Sequence, residues 1–239
     1  MIKLDHENVT PLYKQLKDII KQKIIDGEFR PGQKIPSELQ LSKMYNVSRI
    51  TVRNAITELV DEDLLIKKQG KGTFVSAPKI EDNVLEDISF SLTCKINKVK
   101  PGSKIIKNVI KDANERDIAE LNLHENDKVV YIKRIRYADD EPVILEHNFF
   151  PSKYAFLLNE DLENQSLYEI LNEKYGIARA KSKRTIEITT ASEEEASLLA
   201  ISKGEPLLLH REIVYDKNNN PIHRTKQLII GDKFKFVVP

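Results

Sequence analysis

The chain has 239 residues, and its 38 Lys and Arg nearly cancel 37 Asp and Glu, leaving a formal net charge of +1 that by itself does not argue for a nucleic-acid partner. A single cysteine, Cys94, excludes an internal disulfide and any metal cluster built on cysteines. The start MIKLDHEN lacks the apolar core of a signal peptide, and no apolar run approaches the roughly 18 residues of a membrane span, so the expectation is a soluble, cytoplasmic protein of two ordinary domains.

The distribution of charge carries more than its sum. Residues 1–76 hold 13 Lys and Arg against 10 Asp and Glu, with Lys67, Lys68 and Lys71 crowded into one short segment. A first helix opens with Thr10 as N-cap and Pro11 in the first helical position. Leu12, Leu16, Ile19, Ile20 and Ile24 share one face of it, and Gly27 ends it. Ser37 caps a second helix, with Gln40 as its capping-box partner. A turn at Tyr45-Asn46-Val47 leads to Ser48, which caps a third. There Val52, Ala55, Ile56, Leu59 and Val60 point to a core, while Arg49, Arg53 and Thr57 fall on the opposite side. Two apolar strands at 64–68 and 73–76 flank Gln69-Gly70-Lys71-Gly72, a hairpin tip without bulk. Three helices and a β-wing make a winged helix-turn-helix.

Periodicity fades over residues 77–87, which read as a linker. Beyond it, strand patterns run at 104–111, 128–137, 142–150, 185–190, 206–215, 221–230 and 233–238. Helices read at 115–122, 167–175 and 193–200, with Ser166 and Ser192 as N-caps. Polar turns at Asp139-Asp140 and at residues 217–221 read as hairpins, so the sheet is expected to be largely antiparallel and the fold class α+β. Residues 119–142 and 196–221 form a faint repeat of helix, loop, strand and polar turn, which aligns Arg134 with Arg211.

Two exposed arginines on a helix are ordinary. Arg49 and Arg53 gain meaning from their place between a capped helix and a glycine-tipped basic hairpin. An arginine fork matches guanine O6 and N7 in the major groove. Ser37, Ser48 and Thr51 lie near helix N-termini suited to phosphate. Gly70 and Gly72 let the wing backbone approach a groove, with Lys71 between them.

These residues carry a resemblance. The run GQKIPSELQLSKMYNVSRITVRNAI followed by KKQGKGTFV resembles the DNA-binding domain of GntR-family bacterial transcription regulators. It implies that Arg49 and Arg53 read guanines and that Gln69, Gly70, Lys71 and Gly72 form the wing tip. Leu39 stands where some members have a DNA-contacting arginine, so that contact is not carried over. The segments KRIRYADDEPVILEHNFFP, SLYEIL and PIHRTKQLIIGDKFKF resemble the effector-binding (UTRA-type) domain of the HutC branch, which has a chorismate-lyase-like fold. The expected organisation is a DNA-binding domain at 1–76, a linker at 77–87 and an effector domain at 88–239.

From the residues alone, Arg134 and Arg136 share one strand face with Ile132, and two guanidiniums so close call for an anion between them. Ser166 at a helix start offers a second anion site. The resemblance implies phosphate binding at the positions matching Arg134, Arg136, Ser166 and Tyr168 and at backbone amides near Phe90 and Ser91, with Glu146 touching the polar body of the ligand. His223 and Ile229 replace the Glu and Tyr often found in the last hairpin, so the far end of the pocket is expected to differ. The five histidines show no HxH or HxxxH spacing, and Glu146 and His147 point to opposite strand faces, so no metal site is expected.

The reading that follows is a ligand-responsive repressor and not an enzyme. It is expected to bind a palindromic double-stranded DNA operator as a homodimer, to need no cofactor, and to answer to a small anionic metabolite such as a phosphorylated sugar or amino sugar. The rival class is a lyase or hydrolase with an accessory DNA head. G-x-S-x-G, H-E-x-x-H, a phosphate-binding glycine loop and a Cys/His pair are all missing from the sequence.

Overall fold

The structure, a computed structural model, describes residues 4, 5, 8–68, 70–83, 88–163 and 165–238. It divides into two compact units, Met1–Pro78 and Lys79–Pro239.

The first unit contains α1 (Leu12–Ile25), α2 (Glu38–Tyr45), α3 (Arg49–Asp61), β1 (Leu65–Lys68) and β2 (Gly72–Val75). The N-cap of α1 is Pro11, not Thr10: Pro11 is extended (ψ 141) and its carbonyl accepts from the amides of Lys14 and Gln15. In α2 the capping box is present, with the Ser37 hydroxyl accepting from the Gln40 amide and the Gln40 side chain from the Ser37 amide. Left-handed Asn46 (φ 51) makes the turn before Ser48, whose hydroxyl accepts from the Thr51 amide. One core joins the layers: Leu16 and Ile20, Leu41, Val52 and Ile56, and Leu65 and Val75 of the hairpin. Burial of these side chains at about 1.5–3 kcal/mol each is what holds the short helices in place.

In the second unit a six-stranded antiparallel sheet has the order β4-β5-β6-β9-β8-β7. Its strands are β4 (Pro101–Asp112), β5 (Lys128–Ala138), β6 (Glu141–Pro151), β7 (Lys181–Thr190), β8 (Pro206–Tyr215) and β9 (Pro221–Ile230). The tight hairpin at Asp139 and Asp140 has both residues at positive φ, the geometry that matches strand twist. On one sheet face lie α5 (Glu115–Leu121) and α7 (Glu193–Leu199), the latter burying Ala196 and Leu199 against Leu145, Leu207 and Leu228. Against the other face pack the 3-10 segment Ser152–Asn159 and α6 (Leu167–Glu169), which continues as a π-helical turn, Ile170–Lys174. The same face is met by α4 (Phe90–Ile96), β3 (Ile80–Asn83) and β10 (Phe234–Val237).

Three further expectations change. The stretch read as a linker contains β3, which pairs in parallel with β10, the last strand of the chain; residues 84–87 lie outside the described residues. Four residues with a partner more than 150 positions away leave no local signal. Second, α4 and the 3-10 segment are additional elements. Third, the repeat exists but is offset by one residue. The two halves, β4-α5-β5-β6 and β7-α7-β8-β9, match N-cap Asn114 with Ser192, C-cap Asn122 with Ala200, and the bulge after Arg136 with the bulge after Val214. That superposition sets Arg134 against Glu212 and Lys133 against Arg211. A one-residue slip changes the sheet face, so Arg134 and Arg211 are not equivalent.

Candidate nucleic-acid interface and ligand cleft

On the first unit, α3 presents Arg49 and Arg53 to solvent on the side away from Val52 and Ile56. Arg53 is held by Glu38 at the start of α2, with Nε 3.3 Å and Nη2 3.1 Å from Oε2. Glu38 is a residue that sequence reasoning passed over; the pairing joins two helices and has no local signature. The hydroxyls of Ser37, Ser48 and Thr51 are engaged in capping contacts, including Ser48 Oγ to Thr51 Oγ1 at 2.8 Å. Their effect is to fix where the two helix N-termini point. At the wing, Gly70 has φ +70 and Gly72 φ +116, and a Cβ on Gly72 would stand 2.6 Å from Lys34 Cε. The Lys71 amide closes the tip on the Lys68 carbonyl at 3.0 Å. The Gln69 expectation lies outside the described residues.

The second unit has a cleft over the sheet face opposite α5 and α7, with about 720 Å³ of unfilled space including its open mouth. Its floor is polar and ordered. Sheet register places Arg134, Glu146, Gln227 and His210 in one row across β5, β6, β9 and β8. The row is hydrogen-bonded throughout. Arg134 donates to Glu146 Oε2 from Nε (2.9 Å) and Nη2 (2.6 Å), Gln227 Nε2 donates to Glu146 Oε1 (3.2 Å), and His210 Nδ1 lies 3.1 Å from Gln227 Oε1. The next row brings Glu212 against Arg184, whose Nε donates to Glu212 Oε1 at 2.6 Å.

Of the expected effector residues, Phe90, Glu146 and Tyr168 line this cleft. Arg134, Arg136 and His223 are buried one contact behind it. Arg136 lies under the Phe90 ring, 4.7 Å from its centroid, and donates to Ser91 Oγ at 3.1 Å. His223 Nε2 is 3.0 Å from the Tyr168 hydroxyl, and its ring stacks on Phe150. Ser166 lines a neighbouring depression that shares Tyr168 and Arg179 with the cleft. Its hydroxyl makes no cap bond, and the three-residue α-helical turn after it continues as the π-helical turn Ile170–Lys174. Ile229 is buried in the floor.

The two neighbouring arginines differ in their surroundings. Arg134 has its counter-ion in Glu146, whereas Arg136 has no carboxylate partner among the described residues, and its buried Nε has no hydrogen-bond partner. Burial, with the Arg134 charge adding to it, pushes Arg136 down to about 10, against the pull of Glu146. For Glu146 burial opposes the charge, but the Arg134 and Arg136 guanidiniums outweigh it and hold the carboxyl at about 2. Burial lowers His223 to about 4, so its ring is neutral at pH 7. Arg179, Arg184, His210, Glu212 and Gln227 are cleft residues that sequence reasoning missed. Strand alternation places His210 and Glu212 on one face, but only sheet order shows that this is the face of Glu146.

Among the described residues no group of His, Cys, Asp and Glu is placed to hold a metal, and no helix is long and apolar enough to cross a membrane. His147 faces away from Glu146 toward Tyr131, with Nδ1 2.8 Å from the phenol oxygen.

Comparison with known proteins agrees with this architecture. Residues 12–75 match the family model for bacterial regulatory proteins, gntR family, and residues 97–235 match the UTRA domain. The chain is similar to the HTH-type transcriptional repressor NagR of Bacillus subtilis, 33% identical over 98% of this chain and 96% of that protein. It is also similar to the probable fructoselysine utilization operon transcriptional repressor of Escherichia coli K12, 32% identical over 89% of this chain and 87% of the other. Among solved structures, PhnF from Mycobacterium smegmatis superposes with a TM-score of 0.68 and 26% identity, covering 94% of this chain and 98% of that one. Both of these curated relatives bear the names of transcriptional repressors, not of enzymes.

Proposed function

The chain belongs to the gntR family of bacterial regulatory proteins, with a UTRA domain after the winged helix-turn-helix, and on that premise we propose that it is a repressor that binds operator DNA as a homodimer and responds to a small anionic metabolite in the UTRA cleft. Arg49 and Arg53 read guanine edges in the major groove, with Glu38 orienting the Arg53 fork. The wing tip at Gly70–Gly72 approaches the adjacent phosphates or minor groove. A two-fold dimer sets two such helices on the half-sites of a palindrome.

The observation that carries the effector reading is Arg136. A buried guanidinium without a carboxylate is costly unless something neutralises it. An anion entering beside Phe90 and Ser91 supplies that charge. It also competes with Glu146 for Arg134, and Glu146 is tied through Gln227 to His210. Engagement of the anion therefore loosens the whole polar row. The relative named for a fructoselysine utilization operon favours a sugar derivative as the body of that anion. β3, which lines the cleft with Asp82 and Asn83, leads back to the first unit and offers the route by which the change reaches the DNA-binding heads. A tenfold change in operator affinity needs about 1.4 kcal/mol of coupling.

A mobility-shift titration with the DNA upstream of the chain's own gene tests the reading. The wild type should bind there, and Arg49→Ala with Arg53→Ala should abolish specific binding. Unchanged affinity in the double variant would refute the DNA-reading assignment.

A further inference from the structure

The two edges of the six-stranded sheet are built differently. β4 opens on Pro101-Gly102 and is broken by a bulge between Ile105 and Lys107, both features that blunt an edge. β7 pairs with β8 in ten uninterrupted steps, from Lys181 opposite Tyr215 to Thr190 opposite Pro206, and contains neither proline nor glycine. Its outer side has no strand neighbour among the described residues.

The exposed side chains there continue a row that is buried at Ile144 and Ile229 and partly buried at Leu208. Ile144, Ile229 and Leu208 stand in register across β6, β9 and β8, and Ile188 of β7 ends that row 79% exposed. Ile186, one position nearer the cleft on the same face, is 40% exposed. A long, regular edge that exposes two isoleucines is a template for another strand.

We infer that β7 pairs antiparallel with β7 of a second copy about a two-fold axis through Thr185. The inference rests on the homodimer reading above and supplies its interface. Two-fold antiparallel pairing requires one residue to face its own copy, because opposed residues must lie on the same sheet face. Centring on Lys183, Arg184 or Glu187 sets like charges against each other. Centring on Ile186 opposes Lys183 to Thr189 and forms no ion pair. Centring on Thr185 opposes Lys183 to Glu187 of the partner subunit, twice by symmetry.

Glu187, 58% exposed and 3.4 Å from Arg211, has room for that second cation. On the cleft face the same register lays Ile186 of the partner subunit beside Arg184, so the second copy extends the cleft floor where a single chain leaves it open at the edge.

Cross-linking of the full chain tests register and interface together. Thr185→Cys, mildly oxidised, should give a covalent dimer on a non-reducing gel, since directly opposed Cα atoms lie about 4.5–5.5 Å apart, within disulfide reach. Cys94 is buried and gives no background. Ile188→Cys, more exposed, stands roughly 20 Å from its own copy in this register and should give no covalent dimer on that gel. By sedimentation, Lys183→Glu should raise the dimer dissociation constant about tenfold, and adding Glu187→Lys should restore it.

Equal cross-linking of both cysteine variants, or a dimer indifferent to Lys183→Glu, would overturn the interface while leaving the dimer reading intact. A wild type that sediments as a monomer at concentrations that saturate the operator would overturn the dimer reading itself.

Discussion

Arg134 and Glu146 stand directly opposite each other on β5 and β6, and both are buried, with Nη2 2.6 Å from Oε2. A pair this enclosed contributes little net stability when intact but is costly to break, because the survivor keeps its charge without a partner. Glu146→Ala and Arg134→Ala should each destabilise the second unit by about 3–5 kcal/mol in urea unfolding. Replacing both, Arg134→Met with Glu146→Leu, should recover most of that loss. A double variant as unstable as the sum of the singles would mean that the pair is not the relevant unit.

The Arg53–Glu38 pair is exposed and belongs to a different regime. Surface pairs are worth about 0.2–1 kcal/mol, so Arg53→Ala and Glu38→Ala should change unfolding free energy by no more than that. Operator affinity should respond far more. Arg53→Ala should cost about 1–3 kcal/mol of specific binding, and Glu38→Ala a smaller part of it through lost orientation. Tighter binding in Glu38→Ala would show that Glu38 restrains Arg53 instead of aiming it.

Thermal-shift measurements with inorganic phosphate, glucose 6-phosphate and glucosamine 6-phosphate probe the cleft. A ligand at 100 times its dissociation constant adds about 2.7 kcal/mol to stability. The stabilisation should be lost in Arg136→Met, which leaves the Arg134–Glu146 pair in place. Equal shifts in variant and wild type would move the anion away from Arg136.

Acid should weaken the second unit through His223. The buried ring titrates at about 4, below the roughly 6.5 of an unfolded imidazole. A depressed histidine means that the unfolded chain binds the extra proton between those values. Its contribution is complete above pH 6.5, is lost as pH falls toward 4, and changes no further below that. Between pH 7 and pH 5 the loss is roughly 2 kcal/mol. Urea unfolding followed by circular dichroism should therefore show a shallower acid slope in His223→Gln. His147, also lowered to about 4 by burial, adds a like slope that survives in that variant.

Everything set by near neighbours is legible in the sequence. The Ser37–Gln40 capping box, the Ser48 cap, the core stripe of α3 and the Asp139-Asp140 turn all act within a few residues, and the amino-acid types suffice to place them. The strand faces of Arg134 and Arg136 were legible for the same reason, since side chains alternate.

Which groups meet across those faces depends on the packing of distant segments. Arg134 is paired with Glu146 on the next strand; Arg53 is paired with Glu38 on another helix; β3 lies against β10 at the far end of the chain. The repeat makes the limit plainest. Its existence is visible in the sequence, but a shift of one residue in its alignment exchanges Arg211 for Glu212. In a period of two that is the difference between the helix-covered face and the cleft. Pairings between distant strands depend on register, and register is settled by the packing of both faces at once, which no local pattern contains.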